Sequence, residues 1–430
     1  MKRVAFYTLG WKVNQYETEA MAELFSNACY EVCDFETAAD IYVINTCTVT
    51  GMSDRKSRQI IRRAKKQNPA SFIIVTGCYA QTAPDDILKI DGVNLILGTK
   101  DRSRIVELYR KHSNEDIFSC VSDIMHTHSF ENLSVSEYAD RTRAYIKIQE
   151  GCNQFCSYCI IPYARGPIRS RNFEEVLSET RRLAEKGFTE ITYVGIHIAS
   201  YGLDTKSEGL PELLCAADKI DGIKRIRLSS IEPMTLNSEF IDKIKDCKKL
   251  CHHFHLSLQS GCDETLKRMN RKYTTDEYFS IVKGLRDVFH DVAITTDIMV
   301  GFAGETDEEF EKTCKFAEKT SFAGAHIFQY SQRTGTPAAE FPNQVAPQIK
   351  EKRSKIIDSI CKKSHKAFMS QFIGTTQEVL FERPVHGGYY EGKTANYQTV
   401  LVKSDIDLSS EYRSVLLKET ENDAFIGELV

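Results

Sequence analysis

Three cysteines, Cys152, Cys156 and Cys159, fall within the segment EGCNQFCSYCIIP at spacings of four and three residues. Thiolates so placed can ligate three irons of a four-iron–sulfur cluster and leave the fourth iron open. An open iron can chelate the amine and carboxylate of an amino acid. The metal itself deprotonates its thiols, so no neighbouring base is needed. The competing use is a zinc site, but a zinc ribbon wants a second paired motif and none follows. The triplet begins where an apolar run, AYIKIQ, ends, and barrel enzymes build their sites from loops after strand C-termini.

A second set of positions repeats that logic near the N-terminus. VAFYTLGW ends at Trp11, YVINTC at Cys47 and FIIVTGC at Cys78, each after a short apolar run. In a parallel sheet the carboxyl ends of the strands share one edge, so the three positions should converge. Directly after Cys47, DRKSRQIIRRAKK carries seven Lys and Arg against Asp54 alone. On a helix, Arg55, Arg58, Arg62 and Lys65 share a face suited to nucleic-acid phosphates. Arg165, Arg169 and Arg171 in YARGPIRSR form a further basic group that could grip phosphate or a carboxylate. The other cysteines read as small core hydrophobes.

The elements that must position these residues follow from periodicity. The first hundred or so residues alternate strand and helix signals, which predicts a parallel sheet covered by helices over residues 1–112. Residues from about His112 to Arg141 lack clear period and read as a linker. A second series, AYIKIQ, EITYVGI, RIRLSS, FHLSLQ, ITTDIMVGF and AHIFQY, interleaved with helical stretches, predicts a partial or full (β/α) barrel over 138–367. A charged helix is expected from about Ala346 to Ile373. Short alternating strands between HGG, SD and ND turns predict a small β-barrel over 371–430. With 42% hydrophobic and 27% charged residues the composition is that of an ordinary globular protein. A net charge of −4 provides no global attraction to nucleic acid. No signal peptide or membrane span is read, and fourteen cysteines in a chain expected in the cytoplasm favour metal–sulfur chemistry over disulfides.

CNQFCSYC resembles the signature of the radical S-adenosylmethionine (SAM) superfamily. The resemblance implies a [4Fe-4S] cluster on Cys152, Cys156 and Cys159 as the catalytic centre, with Tyr158 beside the SAM adenine. Ser230, Glu232 and Gln259, at later strand ends, are expected to contact SAM. Ala303 stands where the family usually has proline.

TLGWKVNQYET, NTCTVT, TGCYAQ and YSQRTGTPA extend the likeness over essentially the whole chain to the methylthiotransferases, nearest to those acting on N6-threonylcarbamoyladenosine in tRNA. That resemblance implies an auxiliary four-iron cluster on three cysteines. Cys47 and Cys78 match two of them, and Trp11 occupies the third position. Indole has no available lone pair and cannot ligate a metal. The auxiliary cluster is therefore expected to be absent or impaired, unless another contact completes it or Trp11 replaces a different natural residue. The family uses SAM twice, as methyl donor to sulfur and as source of a 5′-deoxyadenosyl radical that takes hydrogen from C2 of adenosine 37. It implies tRNA and an electron donor such as flavodoxin or ferredoxin as partners, and no membrane. An isopentenylated adenosine, a ribosomal-protein aspartate, or a non-catalytic tRNA-binding role are the alternatives.

The tail resembles the TRAM domain, an RNA-binding β-barrel. Residues 371–430 nevertheless hold five Lys and Arg against ten Asp and Glu. Tyr389, Tyr390 and Tyr397 either stack on bases or pack the barrel.

Overall fold

The computed structural model describes residues 1–49, 51–114, 117–135 and 142–430. The N-terminal domain is one parallel sheet of β1 (Arg3–Thr8), β2 (Glu31–Cys33), β3 (Ile41–Thr46), β4 (Phe72–Gly77), β5 (Val93–Leu97) and β6 (Phe118–Cys120), in the order β2-β1-β3-β4-β5-β6. All six residues of β3 are buried, as expected of a strand covered by helices on both faces. Helices α1 (Lys12–Asn27) and α2 (Gly51–Gln67) follow β1 and β3.

One expectation is corrected here. The stretch read as a linker after residue 112 contributes β6, which pairs in parallel with β5, and Leu133 and Val135 enter the core of the central domain. Polarity hid these short contributions, because each relies on neighbours far away in sequence. The expected start of the central domain at 138 lies outside the described residues.

The central domain is a partial barrel. Its six parallel strands are β7 (Ala144–Glu150), β9 (Glu190–Gly195), β10 (Arg225–Leu228), β11 (His253–His255), β12 (Ala293–Val300) and β13 (Gly324–Gln329). Two isolated parallel bridges, Ile226 to Leu250 and Ile231 to Leu256, carry the wall from β10 toward β11. The short β8 (Arg169–Ser170) adds antiparallel to the end of β7. Covering helices start at side-chain caps: Asn172, Thr274 and Thr306 each accept from a backbone N–H in the first turn. The long helix Pro347–Ser370 packs Ile357 and Cys361 into the same core.

The C-terminal domain is a closed barrel of β14 (Thr376–Val385), β15 (Tyr389–Thr394), β16 (Thr399–Lys403), β17 (Tyr412–Glu421) and β18 (Ala424–Leu429). It docks on the amino ends of the central strands. Arg225 and Arg227 of β10 donate to the backbone carbonyls of Glu378, Lys393, Thr394 and Ala395 at 2.7–3.0 Å. No helix among the described residues is long and apolar enough to cross a membrane.

Candidate active site

The strand order explains the first constellation. β1, β3 and β4 are adjacent, and their last residues are in register, with Thr8 opposite Asn45 and Thr46 opposite Gly77. The positions that follow, Trp11, Cys47 and Cys78, therefore emerge side by side. The backbone there is tight. A Cβ on Gly10 would lie 3.2 Å from the Cys47 Cβ. One on Gly77, at φ +96°, would lie 2.4 Å from the Thr46 carbonyl, so only glycine fits that close approach. Polar side chains brace the loops. Asn14 donates to the carbonyls of Leu9 and Thr46, Asn45 to that of Asn14, and the Thr46 hydroxyl to that of Thr76 at 2.6 Å.

Cys47 and Cys78 are buried, whereas Trp11 is 59% exposed. Trp11 begins α1 in extended conformation without a capping side chain, and its ring lines the same cavity as the two cysteines. Arg165 Nε lies 3.1 Å from the Cys78 sulfur. Burial pushes the Cys78 thiol up, and Arg165 opposes that shift. Arg165 is itself fully buried and braced by Glu17 at 2.5 Å, Glu150 at 3.1 Å and the Asn14 amide oxygen at 3.1 Å.

The cysteine triplet follows β7 on a loop held at both ends. Cys152 N–H donates to the Gly166 carbonyl, and Cys159 N–H to that of Cys156. Burial raises Cys152 to about 11 and Cys159 to about 12. A bound metal would reverse that preference by taking the thiolates as ligands. Among the described residues, no three His, Cys, Asp or Glu side chains converge on a single-ion site. Three cysteines on one loop at a strand C-terminus, with the Cys156 sulfur facing the Arg271 guanidinium, are a donor set of the kind that holds a thiolate-ligated iron–sulfur cluster.

Arg271 organises the surroundings. Its guanidinium contacts the Cys156 sulfur at 3.5 Å, Glu232 at 2.7 Å and the Ser257 carbonyl at 3.1 Å. Burial raises Glu232, and Arg271 counters it. His197 lies 4.0 Å from Glu232, and burial, reinforced by Arg271, lowers it to about 4. Gln149 fixes this loop by accepting from the His197 N–H at 2.6 Å. Gln259 sits at φ +68°, and its backbone bridges to β12 through Asp297 and Met299. Tyr158 packs edge-on against Phe302, while Ser230 is exposed and lines the cavity. Arg271, His197 and Gln149 lacked any sequence signal beyond lying after strand-like runs. Ala303 is buried and its carbonyl accepts from Arg268 at 3.3 Å, a contact the backbone makes without proline.

The cavity has a volume of about 790 Å³. It joins the edge carrying Trp11, Cys47 and Cys78 to the barrel lumen, including Gly195, Ser230, His255 and Asp297. At its lower end stands Tyr397 of the C-terminal barrel, stacked on His253 with ring centres 4.9 Å apart. Lys12, Lys393, Arg143 and Arg227 surround that ring at 4.9–5.7 Å. Burial, aided by Arg143 and Arg227, lowers Lys12 to about 8.

The expected phosphate-binding residues divide. Arg55 and Arg62 on α2 are exposed, whereas Arg58 donates to the Tyr79 hydroxyl and Lys65 to the Pro69 carbonyl. Arg169 and Arg171 do not belong with them. Both are buried, Arg169 donating to the carbonyls of Arg165 and Pro167, and Arg171 pairing with Glu179. Both guanidiniums help hold the cluster loop and β8, although the Nε of each makes no hydrogen bond and Arg169 also lines a small pocket beside Thr99 and Lys100.

A parallel barrel with a cysteine triplet after its first strand defines a radical SAM enzyme. A Radical SAM superfamily profile matches residues 146–317, and one described as Uncharacterized protein family UPF0004 matches residues 3–98. The threonylcarbamoyladenosine tRNA methylthiotransferase MtaB of Bacillus subtilis is 44% identical, covering 95% of this chain and 92% of its own. The protein of the same name from Thermotoga maritima is 36% identical over 99% of this chain and 97% of its own. The tRNA-2-methylthio-N(6)-dimethylallyladenosine synthase of Acetivibrio thermocellus is 34% identical over 98% and 90%. Among solved structures, the radical SAM methyltransferase TsrM of Kitasatospora setae has a TM-score of 0.59 at 16% identity, over 79% of this chain and 77% of that one, a likeness of fold alone. The chain belongs to the tRNA methylthiotransferases of the radical SAM superfamily.

Proposed function

We propose that the protein methylthiolates C2 of N6-threonylcarbamoyladenosine at position 37 of tRNA. The observation that supports the reading is the cavity that Cys47 and Cys78 share with Gly195, Ser230 and other barrel residues, which opens the sulfur-donor edge onto the lumen that a hydrogen-abstracting centre must also face. Cys152, Cys156 and Cys159 lie outside its lining. The names of the Bacillus and Thermotoga relatives support the choice of nucleoside. A cluster on Cys152, Cys156 and Cys159 supplies reductive cleavage of SAM, with SAM also the methyl donor. The chain's own residues do the rest. Arg271 neutralises charge at Cys156 and fixes Glu232. Glu232, Ser230, Gln259 and Tyr158 line the SAM side. Arg165 holds Cys78. The lumen walls exclude water from a reactive intermediate. Arg55 and Arg62 engage tRNA phosphates, and a flavodoxin- or ferredoxin-type protein in the cytoplasm delivers the electron.

The experiment is anaerobic incubation of tRNA with SAM, reductant and either this chain or its Trp11→Cys variant, followed by mass spectrometry of nucleosides. The expected product is the 2-methylthio derivative of threonylcarbamoyladenosine, formed by the variant. Modification of dimethylallyladenosine instead, or of neither, overturns the reading.

A further inference from the structure

Two ammonium groups beside the Tyr397 ring at the cavity floor, of which Lys12 lines the cavity and Lys393 stands behind the ring, have no carboxylate within salt-bridge distance among the described residues. Lys12, at the start of α1, and Lys393, on β15, approach the Tyr397 ring from opposite domains, at 5.6 and 5.3 Å. Lys12 also lies 5.9 Å from the Tyr145 ring, and among the described residues it makes no hydrogen bond or ion pair. The Lys393 ammonium donates only to the Thr399 hydroxyl, at 2.6 Å.

The two arginines at the same ring are satisfied. Arg143 pairs with Glu190 at 2.7 Å and Glu382 at 2.5 Å, and Arg227 pairs with Glu190 at 2.8 Å. Glu391, the next carboxylate outward, pairs with Arg383. Neither ammonium therefore has a carboxylate in direct contact, and Glu190, Glu382 and Glu391 act on them only from further away. Gathering like charges in a partly dehydrated place is unfavourable by itself. It becomes favourable when a ligand brings the missing anion. The first turn of α1 has no side-chain cap and adds its positive dipole end in the same direction.

The place of these charges matters. Lys12 follows Trp11 and lines the cavity together with Cys47 and Cys78. A base lodged between the cysteines and the strand ends would send its substituent to this floor. Resting on the substrate assignment above, we infer that Lys12, with Lys393 and Tyr397, binds the carboxylate of the threonylcarbamoyl group and is the specificity determinant of the enzyme. A dimethylallyl group has no charge to offer, so it would leave both lysines unpaired. A site with polar groups left unpaired by the wrong ligand discriminates more strongly than one that merely fits shape.

The test measures binding to anticodon stem-loop RNAs whose adenosine 37 carries threonylcarbamoyl, its methyl ester, dimethylallyl or nothing. It uses the full chain with SAM present, so the readout does not depend on turnover. The chain should favour the free acid over the ester by roughly tenfold or more. Lys12→Met should abolish that preference, Lys393→Met should reduce it and Lys12→Arg should keep it. Thermal unfolding of each variant checks that the fold survives. If Lys12→Met unfolds, the Lys393→Met and Lys12→Arg arms decide. If the chain prefers the acid and neither lysine variant changes the preference, the inference is wrong while the substrate assignment stands. A chain that prefers dimethylallyl RNA, or does not distinguish the acid from the ester, overturns the substrate assignment and this inference with it.

Discussion

Trp11 puts an indole where the neighbouring strand ends supply thiols. Its ring is exposed at the cavity wall, so it takes up no core volume that a cysteine would have to refill. The chain as it stands should reconstitute with closer to about four irons than about eight. It should cleave SAM yet transfer little methylthio group, and Trp11→Cys should raise both iron content and transfer. Iron counting and parallel assays of 5′-deoxyadenosine and modified tRNA check this. Two full clusters and undiminished transfer without the substitution would mean another ligand completes the site. Replacing Cys152, Cys156 and Cys159 together with alanine should abolish 5′-deoxyadenosine formation, whereas normal yield would contradict the assignment of the triplet. These cysteines were legible in the sequence because ligand spacing is local. The floor was not, since Lys12 lies near one end of the chain and Lys393 and Tyr397 near the other. Arg169 and Arg171 were misread for the converse reason, as charge pattern says nothing about burial and their acceptors lie elsewhere on the chain.

At the scale of elements, the alternation of strands and helices was the part most plainly written in the sequence. Apolar runs separated by helical stretches implied parallel sheets, and the adjacency of β1, β3 and β4 then brought three loop positions together. The linker was misjudged because β6 is only three residues long and is stabilised by β5. Helix α2 keeps its basic face, but unevenly. Arg55 and Arg62 point to solvent, whereas Arg58 and Lys65 are engaged with Tyr79 and Pro69. Neutralising Arg55 and Arg62 together should weaken tRNA binding. It should also lower the slope of log affinity against log salt by about one for each phosphate no longer neutralised. Neutralising Arg58 and Lys65 should do less. Titrations across salt concentrations decide, and an unchanged slope for the first pair would make α2 a solvated surface.

For the whole molecule, the N-terminal and central domains are joined by a buried ionic cluster. Glu17 of α1 meets Arg102 at 2.6 Å, Lys147 at 2.7 Å and Arg165 at 2.5 Å, and Glu150 and Glu131 complete the charge balance. Burial alone would raise both Glu17 and Glu150, but the surrounding cations outweigh it and hold Glu150 at about 2 and Glu17 well below 4.5. Carboxylates depressed in this way contribute stability above their unfolded value near 4.5, and lose it as pH falls toward about 2. The protein without its clusters should therefore unfold on acidification through that window. Glu17→Gln should cost about 3–5 kcal/mol at neutral pH, because it strands buried cations, and should flatten the acid response. Circular dichroism against pH and denaturant measures both. A variant as stable as the parent would show that the cluster contributes no net cohesion.

Helix α1 belongs to two cores at once. Tyr16 and Ala20 pack with the central barrel, while Met21 and Phe25 pack beneath the N-terminal sheet. During synthesis this helix leaves the ribosome well before β7 and β9, the central strands it packs against, the later of which ends at Gly195. The nascent sheet domain must carry an uncovered apolar stripe until those strands have emerged. That makes the early chain a client for chaperones, and makes any gene fusion or truncation that separates α1 from the barrel a route to aggregation.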